Sequence, residues 1–449
     1  MFYRPWEELP SDPEFPSDLG LLGYFVNDED EIRSIQSPDH YFKFHIDKNS
    51  RYNERQRYAM NEAIENLVHA RLESHGLEKI RLPLGTPSDK PNVPIFVSSD
   101  IKSKSRIILI IGETYQDLGI IAHRILGGRG GVNKGSMVSV VSTLKSQPSS
   151  SSDPSPPGFI LANTGQFIWH ESLKRCCTIS GTEGTPMPSA VHAGVKWYVE
   201  VGKDRVEGNK DIREHMKTIF ETVIPAFLNK DAGLDIIAVG DGADALEKYL
   251  DWSETWKRLS DRINCLAILG AYYHLEDLQS TNFREFLREK GRAYATSVEP
   301  LGTPLSGPDG NPNTVTFTHN GTPVYSGGES HHVETLLAHA LPHLAEWLLE
   351  VTITGKKDYR NPNAPILYCD PENEALKMEP DWSKWQNAPS DKQPPADFHE
   401  VEPNANVKND EGGDGGKVTI QDLDDDDCDK DVKELEKTLG MMKTTEHQS

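Results

Sequence analysis

Apolar residues recur at two different spacings along this chain, and the way the spacings alternate sets the first expectations. From Glu54 to Ser74, Met60, Ile64, Leu67, Val68 and Leu72 fall on one face at helical spacing. Arg106-Ile-Ile-Leu-Ile-Ile111 is instead a continuous β-branched run closed by Gly112, which suits a strand buried on both faces. Met137–Ser142 and Gly158–Asn163 read as further strands, and the Ser/Pro stretch near 145–157 as a flexible surface insertion. The second half alternates clearly: helix over Ile212–Leu228, strand over Asp235–Val239, helix over Ala243–Leu250, strand over Ile263–Leu269, helix over Asn282–Lys290, strand over Arg292–Ser297. A last amphipathic helix spans Val333–Leu349, with a kink expected at Pro342. Strands alternating with helices imply an α/β domain over residues 1–353, its mainly parallel sheet covered by helices on both faces.

Composition changes the picture mostly at one end. The 449 residues carry 47 Lys plus Arg against 70 Asp plus Glu, a net charge of −23. More than half of that surplus lies between Pro371 and Ser449, where Asp424–Asp427 form a run of four aspartates. Residues 354–449 therefore read as a disordered acidic tail. Within it Val432, Leu435, Leu439 and Met442 mark a short apolar stripe over 431–442, either a residual helical tendency without function or a helix that forms on a partner, and the acidic run suits a basic partner such as a histone tail. Trp382 and Trp385 are aromatic anchors in an otherwise polar stretch, expected either to dock on a partner or to fold back on the domain. No long basic stripe offers itself to phosphates, which argues against direct nucleic-acid binding. Cys176, Cys177, Cys265, Cys369 and Cys428 fit neither a disulfide framework nor a zinc module. Met1 is followed by no apolar leader, and no apolar run is long enough to span a bilayer. A reducing compartment, nucleus or cytoplasm, is expected, with no cofactor.

The segment richest in chemistry is Asp235-Ile-Ile-Ala-Val-Gly-Asp-Gly-Ala-Asp-Ala-Leu246, a strand that runs through Gly240-Asp241-Gly242 into a helix. Small residues around one polar residue permit the sharp turn of a nucleophile elbow, with Asp241 where serine would stand. Asp241 could act as a carboxylate nucleophile. Alternatively Gly240, Gly242 and Ala245 could cradle a pyrophosphate, though no acid follows the next strand at Leu269-Gly-Ala271 to hold a ribose. In a third reading the turn is kept for packing alone. A nucleophile needs a histidine base and an acid. His331 and His332, just before the last helix, are placed for the first role and Glu299 for the second; a plain helix start capped by Ser330, with Glu334 in its first turn, explains the same segment without chemistry. The loop after Ile111 would supply the oxyanion donors, where Glu113 would oppose a developing negative charge. Gly127-Gly-Arg-Gly-Gly131 with Lys134 does not meet the phosphate-loop pattern and reads as a surface loop.

Tyr3-Arg-Pro-Trp-Glu-Glu-Leu-Pro10, Leu22-Gly-Tyr-Phe-Val-Asn27 and Arg55-Gln-Arg-Tyr58 resemble the opening of the Argonaute-binding-protein-two (Arb-two) domain family, over about residues 2–351. The resemblance implies an α/β-hydrolase-like fold. Some members keep a serine at the elbow, an aspartate after a Ser-Glu-Pro-Leu-like turn and a histidine before the last helix; the matching positions here are Asp241, Gly302, and His331 or His332. The family includes a fungal subunit of an Argonaute small-RNA chaperone complex active in RNA silencing and heterochromatin formation. The expectation is thus a non-catalytic interaction subunit that binds an Argonaute-type protein and other silencing subunits. The alternative is a hydrolase using Asp241 with a histidine base.

Overall fold

Among the described residues nine strands form one hydrogen-bonded sheet, which the chain builds through helices that cross from one strand to the next. The computed structural model describes residues 9–191, 204–270, 275–314, 317, 321–366 and 368–370. The chain opens with a small antiparallel hairpin, β1 (Tyr24–Val26) and β2 (Ile32–Ser34), followed by the long helix α1 (Ser50–Ser74), capped by the Asn49 side chain on the Arg51 amide. Strands β3 (Leu77–Leu82) and β4 (Val93–Ser98) form an antiparallel edge, and β5 (Arg106–Ile111) enters the centre. Two one-turn helices, α2 (His123–Leu126) and α3 (Gly131–Lys134), precede α4 (Met137–Lys145). Then come β6 (Gly158–Leu161) and a separate hairpin of β7 (Ile168–His170) and β8 (Arg175–Cys177). Helices α5 (Ile212–Thr218) and α6 (Ile224–Phe227) flank a π-helical turn, Ile219–Val223. The doubly wound half follows: β9 (Gly233–Val239), α7 (Asp241–Leu250), α8 (Ser253–Leu259), β10 (Ile263–Leu269), α9 (Thr281–Lys290) and β11 (Gly291–Ala295). Strands β12 (Pro304–Ser306) and β13 (Val324–Ser326) close the sheet, and α10 (Leu336–Thr354) ends the core.

The pairings β5–β6, β5–β9, β9–β10, β10–β11 and β11–β13 are parallel, so the sheet is mainly parallel and both its faces are covered. The alternation along β5 shows the division. Ile108 and Ile110 pack with α1, α4 and α10, whereas Ile107, Leu109 and Ile111 pack with α5 to α9. Across the sheet the strands run β12-β13-β11-β10-β9-β5-β6-β4-β3, and Arg106, first in β5, forms a buried ion pair with Asp235 of the adjacent β9, Nε to Oδ2 2.7 Å.

Several expectations are corrected. Met137–Ser142 is not a strand but the first part of α4: its apolar residues are buried between α1 and α10, while Ser142, Thr143 and Lys145 face outward, the one-sided burial of an amphipathic helix. The stretch near 145–157 is tied down, because the Arg106 guanidinium donates to Gln147 Oε1 and Pro148 O, and Ser105 Oγ donates to Asp153. The last helix continues through Pro342 to Thr354. The folded chain also extends past residue 353. Tyr359 is buried against Trp347, whose Nε1 donates to its hydroxyl at 2.9 Å, and Asn361 Nδ2 donates to Gly291 O. Asp370 closes the described chain with its amide on Asn313 O. Trp382, Trp385, Val432, Leu435, Leu439 and Met442 lie outside the described residues.

Two buried histidines, one on each face of the sheet, predict an acid response. His215 is fully buried, its Nδ1 2.7 Å from Asn209 Oδ1 and its Nε2 accepting the Asn163 amide, and burial pushes its pKa down to about 3. His69 is likewise brought to about 3, first by burial and then by the neighbouring Lys79 charge. Between pH 3 and 6.5 the unfolded chain binds protons at these sites that the folded chain refuses, so stability falls as pH drops through that window. Each histidine contributes a slope of up to roughly 1.4 kcal/mol per pH unit. Urea midpoints measured from pH 7 to pH 4.5 should fall accordingly, and a flat profile would contradict the assignment.

Candidate functional site

The carboxyl ends of β5, β9, β10, β11 and β13 converge on one edge of the sheet, where open α/β sheets place their sites. The strand–helix turn after β9 has its strained residue at Gly240, with φ 52° and ψ −127°, and the Gly240 amide donates to Leu269 O at 2.8 Å. The apex is therefore Gly240, flanked two residues away on each side by Ala238 and Gly242, which gives the small-x-apex-x-small spacing one position earlier than Asp241. Gly242 is required by close approach: a Cβ there would lie 2.3 Å from Gly112 O.

Glu113, in the loop after β5, occupies the space that an apex side chain would fill. A Cβ on Gly240 would meet its carboxylate well inside contact distance, 1.7 Å from Oε1. That carboxylate accepts the backbone N–H groups of Asp241 and Thr114. The amide that follows a nucleophile is an oxyanion donor in hydrolase elbows, and here the protein's own acid uses it. Burial, and then the nearby Asp241 charge, raise the Glu113 pKa despite those two bonds. Asp241 opens α7 with its Oδ2 accepting from Thr114 Oγ1 at 2.8 Å, and Asp241 and Asp244 both lie in the first turn, where a negative charge suits the helix dipole.

The histidines answer to a different acid. Glu329 Oε1 accepts the amides of His331 (2.8 Å) and His332 (3.2 Å) and lies 3.4 Å from His332 Nδ1, while Oε2 lies 3.6 Å from His339 Nε2. Partial burial would raise the Glu329 pKa, but these amide and imidazole partners outweigh it and bring it to about 2. Among the described residues neither His331 nor His332 hydrogen-bonds Asp241. Glu299 is held through its backbone, its amide donating to Ser297 Oγ and its carbonyl accepting from Ser326 Oγ, and its charge acts on Tyr368. At Gly302, φ 81°, a side chain would collide with His343, 2.7 Å from its Cδ2; His343 is held by Tyr294 OH, 3.1 Å from Nδ1. The acid position of the resemblance is thus filled by an imidazole packed among tyrosines. Glu334 pairs with Arg124 (3.2 Å) and adds to the raised Glu113 pKa.

Asp241, Glu299 and the histidines therefore share one edge of the sheet without joining in one hydrogen-bonded set. Glu329 was missed in the sequence, although a carboxylate two and three residues before a histidine pair was a signal for it. Chemically, the apex has no nucleophile, an oxyanion donor is engaged, and Glu113 beside Asp241 makes the local field hostile to an oxyanion.

The sequence matches the Arb2 domain over residues 15–301. This chain belongs to the Arb2 domain family. Its fold is α/β, a mainly parallel sheet with a turn of the α/β-hydrolase elbow type after β9. No curated protein matches. Among solved structures, a histone deacetylase from Saccharomyces cerevisiae is similar at 11% identity and TM-score 0.37, covering 65% of this chain and 97% of that one. An esterase variant is similar at 8% identity and TM-score 0.26, covering 66% and 89%.

Proposed function

We propose that this member of the Arb2 family is a non-catalytic interaction subunit serving Argonaute- and small-RNA-dependent gene silencing and heterochromatin formation, in nucleus and cytoplasm. The observation that carries the non-catalytic half is the glycine apex at 240 with the Glu113 carboxylate in its place. Family membership supports the silencing half. In this reading Trp382, Trp385 and the stripe of Val432, Leu435 and Leu439 are partner-binding elements, with an Argonaute-type protein first among the partners and histones a further one.

Two measurements test it. A serine-directed fluorophosphonate probe is expected to leave the chain unlabelled, and ester or epoxide turnover to stay at background; turnover lost in Asp241→Asn would establish the hydrolase instead. Purification of the native chain is expected to recover an Argonaute-type protein, and the Trp382→Ala/Trp385→Ala variant to lose it with the melting temperature unchanged. Recovery that survives the double change would remove the tryptophans from the interface.

A further inference from the structure

The β1–β2 hairpin turns two opposite faces to its surroundings. Tyr24, Val26 and Ile32 point to the body, where Tyr24 and Ile32 are buried among the residues of α1 and α2 to α4. The other face carries Phe25 and Ile35, 37% and 55% exposed. Phe25 lies opposite Arg33, and the Ile35 amide donates to Gly23 O at 2.9 Å. Phe25 and Ile35 are therefore diagonal neighbours on one surface, about 7–8 Å apart. Leu21, 76% exposed, stands in the turn that leads into β1. The alternation already gives the core its anchors from the inward residues, so nothing in the fold asks for large apolar side chains on the outer face, where an antiparallel hairpin is ordinarily polar.

Acidic side chains outnumber basic ones around this hairpin, where exposed Lys43 follows with its amide on the Tyr24 hydroxyl. Arg33 is the sole Lys or Arg between residues 9 and 42, and its guanidinium is turned to the body, donating to Ile32 O and Gly127 O and pairing with Glu31. Asp30 is neutralised by Arg71 at 2.7 Å. Asp28, Glu29 and Asp39 are exposed and make no salt bridge among the described residues. The surface is also held still. Asn27 closes the turn with its amide on Glu31 O and its Oδ1 accepting the Glu31 amide, and Asp30 accepts the Val132 and Asn133 amides of α3. A fixed apolar face needs little ordering to bind.

We infer that the outer face of this hairpin, with Phe25 and Ile35 at its centre, docks a partner segment that carries large apolar side chains among lysines or arginines. Exposed apolar groups supply contact area, and the uncompensated Asp28, Glu29 and Asp39 select a basic flank and speed the encounter. Tyr115 and Val298 are also exposed, on the carboxyl edge of the sheet, but they follow β5 and β11, which two strands separate. The inference deepens the interaction reading above and rests on it.

The test uses the full chain with a synthetic amphipathic Leu/Lys peptide, its Leu/Glu counterpart of the same pattern, and hydrogen–deuterium exchange. The Leu/Lys peptide is expected to slow exchange across residues 23–35, with an affinity that drops about tenfold from low to physiological salt. Phe25→Asp/Ile35→Asp should abolish that protection at an unchanged melting temperature, because both side chains are exposed. Asp28→Asn/Glu29→Gln should weaken binding and flatten its salt dependence. Equal protection by the Leu/Glu peptide, protection that maps elsewhere, or protection that survives Phe25→Asp/Ile35→Asp overturns the inference. Failure to recover an Argonaute-type protein with the native chain overturns the proposed function and leaves the peptide result to decide this surface.

Discussion

Arg106→Met is expected to destabilise the domain by about 3–5 kcal/mol, because it strands the Asp235 carboxylate in the core without its cation. Arg106 and Asp235 are both almost fully buried, and Asn264 Nδ2 at 2.9 Å would remain the main donor to the carboxylate. The loss reaches further than one pair. The same guanidinium holds Gln147 Oε1 and Pro148 O, and Gln147 Nε2 in turn donates to Ala345 O of α10 at 2.7 Å. One side chain therefore ties two central strands to the Ser/Pro stretch and, through Gln147, to the last helix. Arg106→Met with Asp235→Leu should recover a large part of the loss, since an apolar pair of similar volume commonly matches a buried ion pair. Urea midpoints of the two single variants and the double give the answer. Additive losses would show that the two charges do not support each other.

The elbow offers the second large effect. Gly240→Ala is expected to cost about 2–4 kcal/mol, from a positive φ that L residues resist and from overlap with Glu113. Glu113→Ala alone should cost about 1 kcal/mol, the loss of hydrogen bonds to the Asp241 and Thr114 amides being offset by relief of its repulsion with Asp241. The double variant should be more stable than the sum by about 1–2 kcal/mol, because the collision has gone. A vanishing coupling energy would mean that Glu113 is not seated over the apex. With Glu113 seated there, a glycine at 240 is a packing requirement, and no single substitution at 240 or 241 installs a working nucleophile.

The central strands were legible because they are buried on both faces: β5, β9 and β10 carry apolar runs over 107–111, 236–239 and 265–269, and α1, α7 and α9 read as helices beside them. Met137-Val-Ser-Val-Val-Ser142 misled for the same reason. A short β-branched run has no period to separate a buried helix from a strand, and tertiary burial decided for α4. The strands β12 and β13 at one end of the sheet, three residues each, left no pattern long enough to read. At the site the elbow itself was visible, but its apex was read one residue late, since only a backbone angle distinguishes Gly240 from Asp241. The partners of His331, His332 and Glu299 are set by loops that carry no periodicity. The glycine-rich loop was legible as a loop, yet its glycines answer to packing. A Cβ on Gly131 would lie 1.9 Å from Asp30 O, and one on Gly127 2.3 Å from the Tyr41 ring.

Beyond α10 the chain doubles back onto the sheet, with Arg292 lying over the Tyr325 and Trp347 rings and the Tyr359 hydroxyl receiving both Trp347 Nε1 and Arg292 NH2. This clasp sets where a protease can enter. Trimming that stops at or beyond residue 370 leaves Tyr359, Asn361 and the Asp370 contact in place. A cut at Thr354 opens a cleft over Trp347 and bares the Arg292 cation. A chain engineered to end at residue 370 should accordingly resist limited digestion, whereas one that ends at the last turn of α10 should be cleaved further into the sheet and recovered poorly.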